Sequence, residues 1–163
     1  MTDHEAFVRL SSVLTGIRDS ELPTQTDQRD ALGTPVKLYE LYFERLRTAY
    51  PSEFAELLAV WIGVQGASDP EAALTAKLTA TTPAALRLRV AARQIVKIWY
   101  LSTIDDPRAQ LDPKKNGRNN GNLGGDLGQY ASGAIYRLIG APVPGYSNFQ
   151  HGYWKYPPPL PPE

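Results

Sequence analysis

The 163-residue chain contains no cysteine. Disulfides, thiolate zinc sites, cysteine-ligated iron–sulfur clusters, covalent c-type haem and a cysteine nucleophile are therefore excluded within it. No run of about 18 apolar residues occurs, so no transmembrane helix and no membrane insertion are expected. The opening Met1-Thr2-Asp3-His4-Glu5 has neither a basic n-region nor an apolar h-region, so no export signal is expected at this end. Histidine is scarce. Only His4 and His151 are present, and neither has a metal-ligating companion three or four residues on. A surface or satisfied histidine is the plainer reading of each, and no metal is expected.

Net charge is also absent, with 17 basic and 17 acidic residues. A nucleic-acid binder usually shows a basic excess, so nucleic acid is not an expected partner. The balance is nevertheless uneven along the chain. Residues 1–80 hold 7 basic and 12 acidic side chains, and residues 81–163 hold 10 and 5. Such asymmetry can steer an encounter, or simply reflect two solvated faces that differ. No Gly-x-Ser-x-Gly elbow occurs. The glycine-rich stretch lacks the Gly-Lys-Ser/Thr ending of a P-loop and the strand and helix that frame a dinucleotide fingerprint.

The composition, 42 % hydrophobic and 21 % charged, is that of a globular domain long enough to bury a core without staples. Helical signals then follow one another. Thr2 and Glu5 fit a capping box, with Phe7, Leu10 and Leu14 at helical spacing and Gly16 as a C-cap. Residues 17–33 are polar and read as a loop. Thr34-Pro35 reads as an N-cap followed by proline at the first helical position. Leu38, Leu41, Tyr42 and Leu46 then give an apolar stripe, widened by Tyr39 and Phe43. Pro51-Ser52 restarts the chain. The next apolar face is Phe54, Leu57, Leu58, Trp61 and Ile62, closed by Gly63 and Gly66. Asp69-Pro70 opens a short helix with Leu74 and Leu78. Thr82-Pro83 opens the longest, reaching about Ser102, with Leu86, Val90, Ile95, Ile98, Trp99 and Leu101 as its apolar faces.

Asp105-Asp106-Pro107 ends that helix and reads as a solvated turn. The glycine- and asparagine-rich stretch from Asp112 to Gly128 reads as a long flexible loop, of a kind usually functional or disordered. Its backbone N–H groups, with Lys114, Lys115 and Arg118, could cradle an anion. Helical spacing returns at Leu127, Tyr130, Ile135 and Leu138. No β pattern and no internal repeat is evident. The expectation is one all-α domain over 1–163, an irregular bundle of roughly five or six helices over about 3–140, followed by an extended arm over about 141–163.

That arm is the most distinctive stretch. It carries Pro142, Pro144 and Tyr146, then Gly152-Tyr153-Trp154-Lys155-Tyr156-Pro157-Pro158-Pro159. Proline lacks an N–H and fixes φ, so the arm cannot continue a helix. Tyrosine and tryptophan are typical interface anchors. An extended segment rich in rings lies against something, either its own domain or a partner. Trp61 and Trp99 sit on apolar helix faces, where core packing is the plainer reading.

Several motifs in order resemble a family. Ile95-Val96-Lys97-Ile98-Trp99-Tyr100-Leu101, then Gly140-Ala141-Pro142, then Gly152-Tyr153-Trp154 with the following prolines, resemble the small (gamma) subunit of bacterial FAD-dependent sugar and polyol dehydrogenases, the D-sorbitol dehydrogenase small-subunit family. The stretch Phe7 to Gly16 is similar to that family's Leu-Ser…Leu-Thr-Gly opening. The resemblance implies a non-catalytic subunit that binds, stabilises and helps mature a glucose–methanol–choline type flavoprotein. FAD would then sit in that large subunit, with no cofactor in this chain, and a cytochrome c subunit often accepts the electrons. It also implies export of the folded pair to the periplasm by a twin-arginine signal, which this sequence lacks. Without that export, the cytoplasm is the alternative compartment. The implied partner contacts are Trp99, Tyr100, Tyr146, Tyr153, Trp154, Tyr156 and Pro157 to Pro159. Two other readings stand beside it. One is a self-contained binding module using the Asn/Gly-rich loop for a small anionic ligand. The other is a small enzyme using Asp105, Asp106 or His151.

Overall fold

A computed structural model describes residues 2–22, 37–107 and 122–124. Five helices account for most of them: α1 (Asp3–Thr15), α2 (Leu38–Ala49), α3 (Pro51–Val64), α4 (Pro70–Thr79) and α5 (Pro83–Leu101). The all-α expectation holds for these residues. The returning helix near 127–138 and the arm over 141–163 lie outside them.

The helix ends follow the local chemistry of the chain. Thr2 and Glu5 close a reciprocal capping box at the start of α1, and Gly16 ends that helix at φ 72°, a left-handed conformation that suits a residue without Cβ. Asp69 Oδ1 accepts from the N–H of Ala72 at 2.9 Å, and Thr82 Oγ1 accepts from that of Ala85 at 3.2 Å. Proline occupies the first turn of α3, α4 and α5, where its missing N–H costs nothing. Tyr50 both ends α2 and begins α3, so a single residue makes that corner. α2 opens with Lys37 at its N-cap, without a side-chain cap. Thr34 and Pro35 lie outside the described residues.

α5 is the axis of the bundle and packs on α1, α2, α3 and α4. Its buried face reads Ala85, Leu88, Ala91, Ala92, Gln94, Ile95, Ile98 and Trp99. The alanines let neighbouring helices approach closely, and the large residues cluster towards its C-terminal half. There Trp99 stacks on Phe7 of α1, with ring centroids 6.3 Å apart and planes 25° apart. Tyr42 of α2 meets the same indole edge-on at 5.0 Å. Phe43 and Phe54 extend the cluster through T-shaped contacts with Phe7, each at 5.7 Å. Such offset and edge-on pairs add to the stabilisation from area burial.

Two apolar residues expected in the core lie elsewhere. Leu86 is 56 % exposed and Ile62 42 % exposed. On α5 the core-facing positions beside Leu86 are taken by Ala85 and Leu88, so a side chain one position off the stripe turns outward. Leu101, also assigned to an apolar face, is 40 % exposed at the helix end. Conversely, Ile17 and Leu22, from the stretch read as polar loop, are buried.

One short strand pair accompanies the helices. β1 (Thr103–Asp105) pairs antiparallel with β2 (Asn122–Gly124), with Ile104 opposite Leu123. Three residues per strand leave no room for a readable alternation, and a pair this short is not stable alone. Its support is the polar corner that joins β1 to α5.

Trp99→Ala is expected to cost about 3–5 kcal/mol in denaturant unfolding, and Leu86→Ala less than about 0.5 kcal/mol. A Trp99 variant within about 1 kcal/mol of the parent would contradict its place at the centre of the core.

Candidate functional site

The residues implicated in partner contact divide into two groups. Tyr146, Tyr153, Trp154, Tyr156 and Pro157 to Pro159 lie outside the described residues. Trp99 and Tyr100 are described, and neither is a free surface ring. Trp99 has no exposed area and is enclosed by Phe7 and Tyr42, so its assignment as a partner contact is corrected to a core residue. Its indole N–H is buried without a hydrogen-bond partner, so packing alone holds the ring. Tyr100 is half-buried and donates its hydroxyl proton to the carbonyl of Thr15 at 2.8 Å. It ties the end of α5 to the end of α1.

Among the described residues, the densest set of polar side chains is the corner where α5 turns into β1. Ser102 ends α5 at φ 53°, a left-handed conformation unusual for a residue with a side chain. Three contacts hold it there. Its N–H donates to the carbonyl of Ile98 at 2.8 Å. Its carbonyl accepts from Arg45 Nη1 at 3.0 Å. Its fully buried hydroxyl is hydrogen-bonded to that of Tyr42. Burial pushes the Tyr42 phenol up to about 12, against the opposing effects of the Ser102 bond and the Arg45 charge. Tyr42 is therefore neutral at any physiological pH and available as donor or acceptor.

Three residues later Asp105 is gripped from all sides. Its N–H donates to Gln94 Oε1 at 2.8 Å, and its carboxylate accepts from Gln94 Nε2 at 2.9 Å. Lys97 pairs with the other carboxylate oxygen. The Asp105 carbonyl accepts from the Tyr50 hydroxyl at 2.7 Å. Partial burial pushes the Asp105 carboxyl up. The hydrogen bonds from Lys97 and Gln94 and the charges of Lys97 and Arg93 outweigh that, so it titrates below the ordinary carboxylate range. Burial pushes the Tyr50 phenol up to about 12 as well, reinforced by Asp105, Asp106 and Glu53.

This corner corrects the reading of Asp105 as a solvated turn residue. Its partners sit 8 and 11 residues back on α5, so the helix must form before they face it. A carboxylate held as an anion by a lysine and an amide is a structural link, and it lacks the raised affinity for a proton that a general acid needs. Asp106 is half-buried at the end of β1. His151 lies outside the described residues.

The other candidate features separate in the same way. Of the Asn/Gly-rich stretch only Asn122–Gly124 is described, as β2. Lys114, Lys115 and Arg118 lie outside the described residues. His4 is half-buried, edge-on to Phe43 at 4.5 Å and to Tyr39 at 6.0 Å. Among the described residues no group of three or more His, Cys, Asp or Glu side chains converges as a metal site, and no helix is long and apolar enough to cross a membrane. Comparison with family models, curated proteins and solved structures finds no match to the chain.

Because Asp105 binds protons less readily folded than unfolded, its contribution is present above its unfolded pKa, near 4, and is lost as pH falls through the lower folded value. Asp105→Asn is expected to cost about 2 kcal/mol at pH 7 and progressively less below pH 4. Urea unfolding of both proteins at pH 7 and pH 3 checks this. A gap that stays constant would place the ion pair outside the stabilising network.

Proposed function

We propose that this chain is a non-catalytic small subunit that binds, stabilises and helps mature a glucose–methanol–choline type FAD-dependent sugar or alcohol dehydrogenase. The observation that carries this reading is the ordered set of motifs Ile95 to Leu101, Gly140-Ala141-Pro142 and Gly152-Tyr153-Trp154 with the prolines after it. Their order and spacing resemble those of that subunit family along nearly the whole chain.

Each part has a distinct task in this reading. Ile95 to Leu101 is the C-terminal half of α5, so it serves the partner by building the scaffold. Contact falls to the arm, with Tyr146, Tyr153, Trp154 and Tyr156 as anchors. Pro157 to Pro159 restrict the free chain, which lowers the entropy lost on docking. FAD and the pocket for the sugar or alcohol belong to the large subunit, and a cytochrome c subunit is the electron acceptor the family reading supplies. Export with the partner would place the pair in the periplasm.

Co-expression with a glucose–methanol–choline type flavoprotein tests the proposal, scored by soluble FAD-loaded dehydrogenase and by co-elution. The full chain is expected to raise active flavoenzyme and co-elute with it. A chain truncated after Gly145 is expected to keep its far-UV helix signal and lose co-elution. Full co-elution of the truncated chain would remove the arm from the interface, and no effect of the full chain would remove the subunit role.

A further inference from the structure

The strand pair is fastened to the helices at few points. Its apolar contribution from β1 is one side chain, Ile104, which is 1 % exposed. Thr103 and Asp105 on either side are half-buried. The other contacts that hold β1 among the described residues are polar, and they converge on Asp105. Its backbone N–H, its carbonyl and both carboxylate oxygens are engaged, by Gln94, Tyr50 and Lys97. Two of these partners stand on α5, and the third is the corner residue between α2 and α3.

The same contacts show which edge of the pair faces the bundle. Along an antiparallel strand the N–H and C=O of one residue point to one side, and those of the next residue to the other. Gln94 and Tyr50 take both groups of Asp105, so these point away from β2. Ile104 then turns its own towards Leu123, its opposite number in the register. The pair hangs on the bundle by the outer edge of β1, with β2 on the far side. β2 accordingly packs chiefly on β1.

The other end of the attachment is Ser102, at φ 53°, a conformation that resists closure in a residue with a Cβ. Strain at one end and a grip at the other make a pivot and a latch. We infer that β1 and β2 come away from the bundle together about Ser102, with Asp105 as the latch, while the five helices stay folded. On opening, Ser102 returns to ordinary backbone angles, and a pair of three-residue strands does not persist once detached. The chain continues from β2 towards Tyr146 and Pro159, so the latch decides whether that continuation starts from a fixed point. The latch belongs to the chain alone and does not depend on the subunit reading.

Native-state hydrogen exchange of the full chain at neutral pH and low urea tests this, with Ile104 and Leu123 reporting on the strands and Leu10 and Ile95 on the helices. The strand amides are expected to share one opening, at least about a hundredfold more frequent than that of the helices. Its urea dependence is expected to be shallow, because little surface is uncovered. Asp105→Asn is expected to lower strand protection about 30-fold and keep the shallow slope. Leu74→Ala removes a buried side chain of α4, which packs on α3 and α5. It is expected to lower the protection of Leu10 and Ile95 by about 30-fold or more and leave that of the strands unchanged. Strand amides with the steep slope of the helices, unchanged strand protection in Asp105→Asn, or an equal loss at strands and helices in Leu74→Ala would each overturn the inference.

Discussion

The fold depends on one indole. Trp99 lies between α1 and α2 near the end of the central helix, stacked on Phe7 and met edge-on by Tyr42. Four helices touch α5, and this ring is where the chain's first helix and its last described helix share a surface. The rest of the α5 face is lined largely by alanine and aliphatic residues, which fill gaps without fixing orientation. An aromatic cluster does fix it, because stacked and edge-on rings tolerate few relative angles. Phe43 and Phe54, themselves edge-on at 5.3 Å, carry that constraint on to α2 and α3.

The polar corner depends on the same ring. Tyr42 offers one edge to Trp99 and its hydroxyl to Ser102, so the residue that packs the core also holds the left-handed cap of α5. A non-glycine residue at positive φ costs about 1–2 kcal/mol and persists only where its surroundings demand it. Here the demand comes from Tyr42 and Arg45 on α2. Beyond the cap, Gln94, Lys97 and Tyr50 seize Asp105, and a strand pair too short to stand alone is held against the bundle. α4 is tied in by similar means. Arg89 of α5 donates to the carbonyls of Leu78 and Ala80, satisfying groups that the end of α4 leaves open.

The legible parts of this structure were the local ones. Thr2 with Glu5, Gly16, Asp69 and Thr82 each act within a few residues, so their spacing alone marks a helix end. The stripes of α1 and α2 were legible for the same reason, and the all-α class followed. Ile62, Leu86 and Leu101 were misplaced because a residue at the margin of an apolar stripe turns inward or outward according to what faces it. Gln94 is buried although polar, and nothing in the pattern marks it, since its partner Asp105 is brought round by the turn at Ser102. The Tyr42–Ser102 contact joins residues 60 apart, beyond any periodic signal.

The union of the first and last described helices also bears on synthesis. Tyr100 reaches back 85 residues to the carbonyl of Thr15. On a ribosome adding about 5–20 residues each second, α1 emerges roughly 4–17 seconds before the surface it needs exists. During that interval Phe7 has its edge-on neighbours Phe43 and Phe54 but not the indole it stacks on, whereas α4 and α5 can join as soon as both are made. The amino-terminal helix thus completes its packing only when the end of α5 has been made.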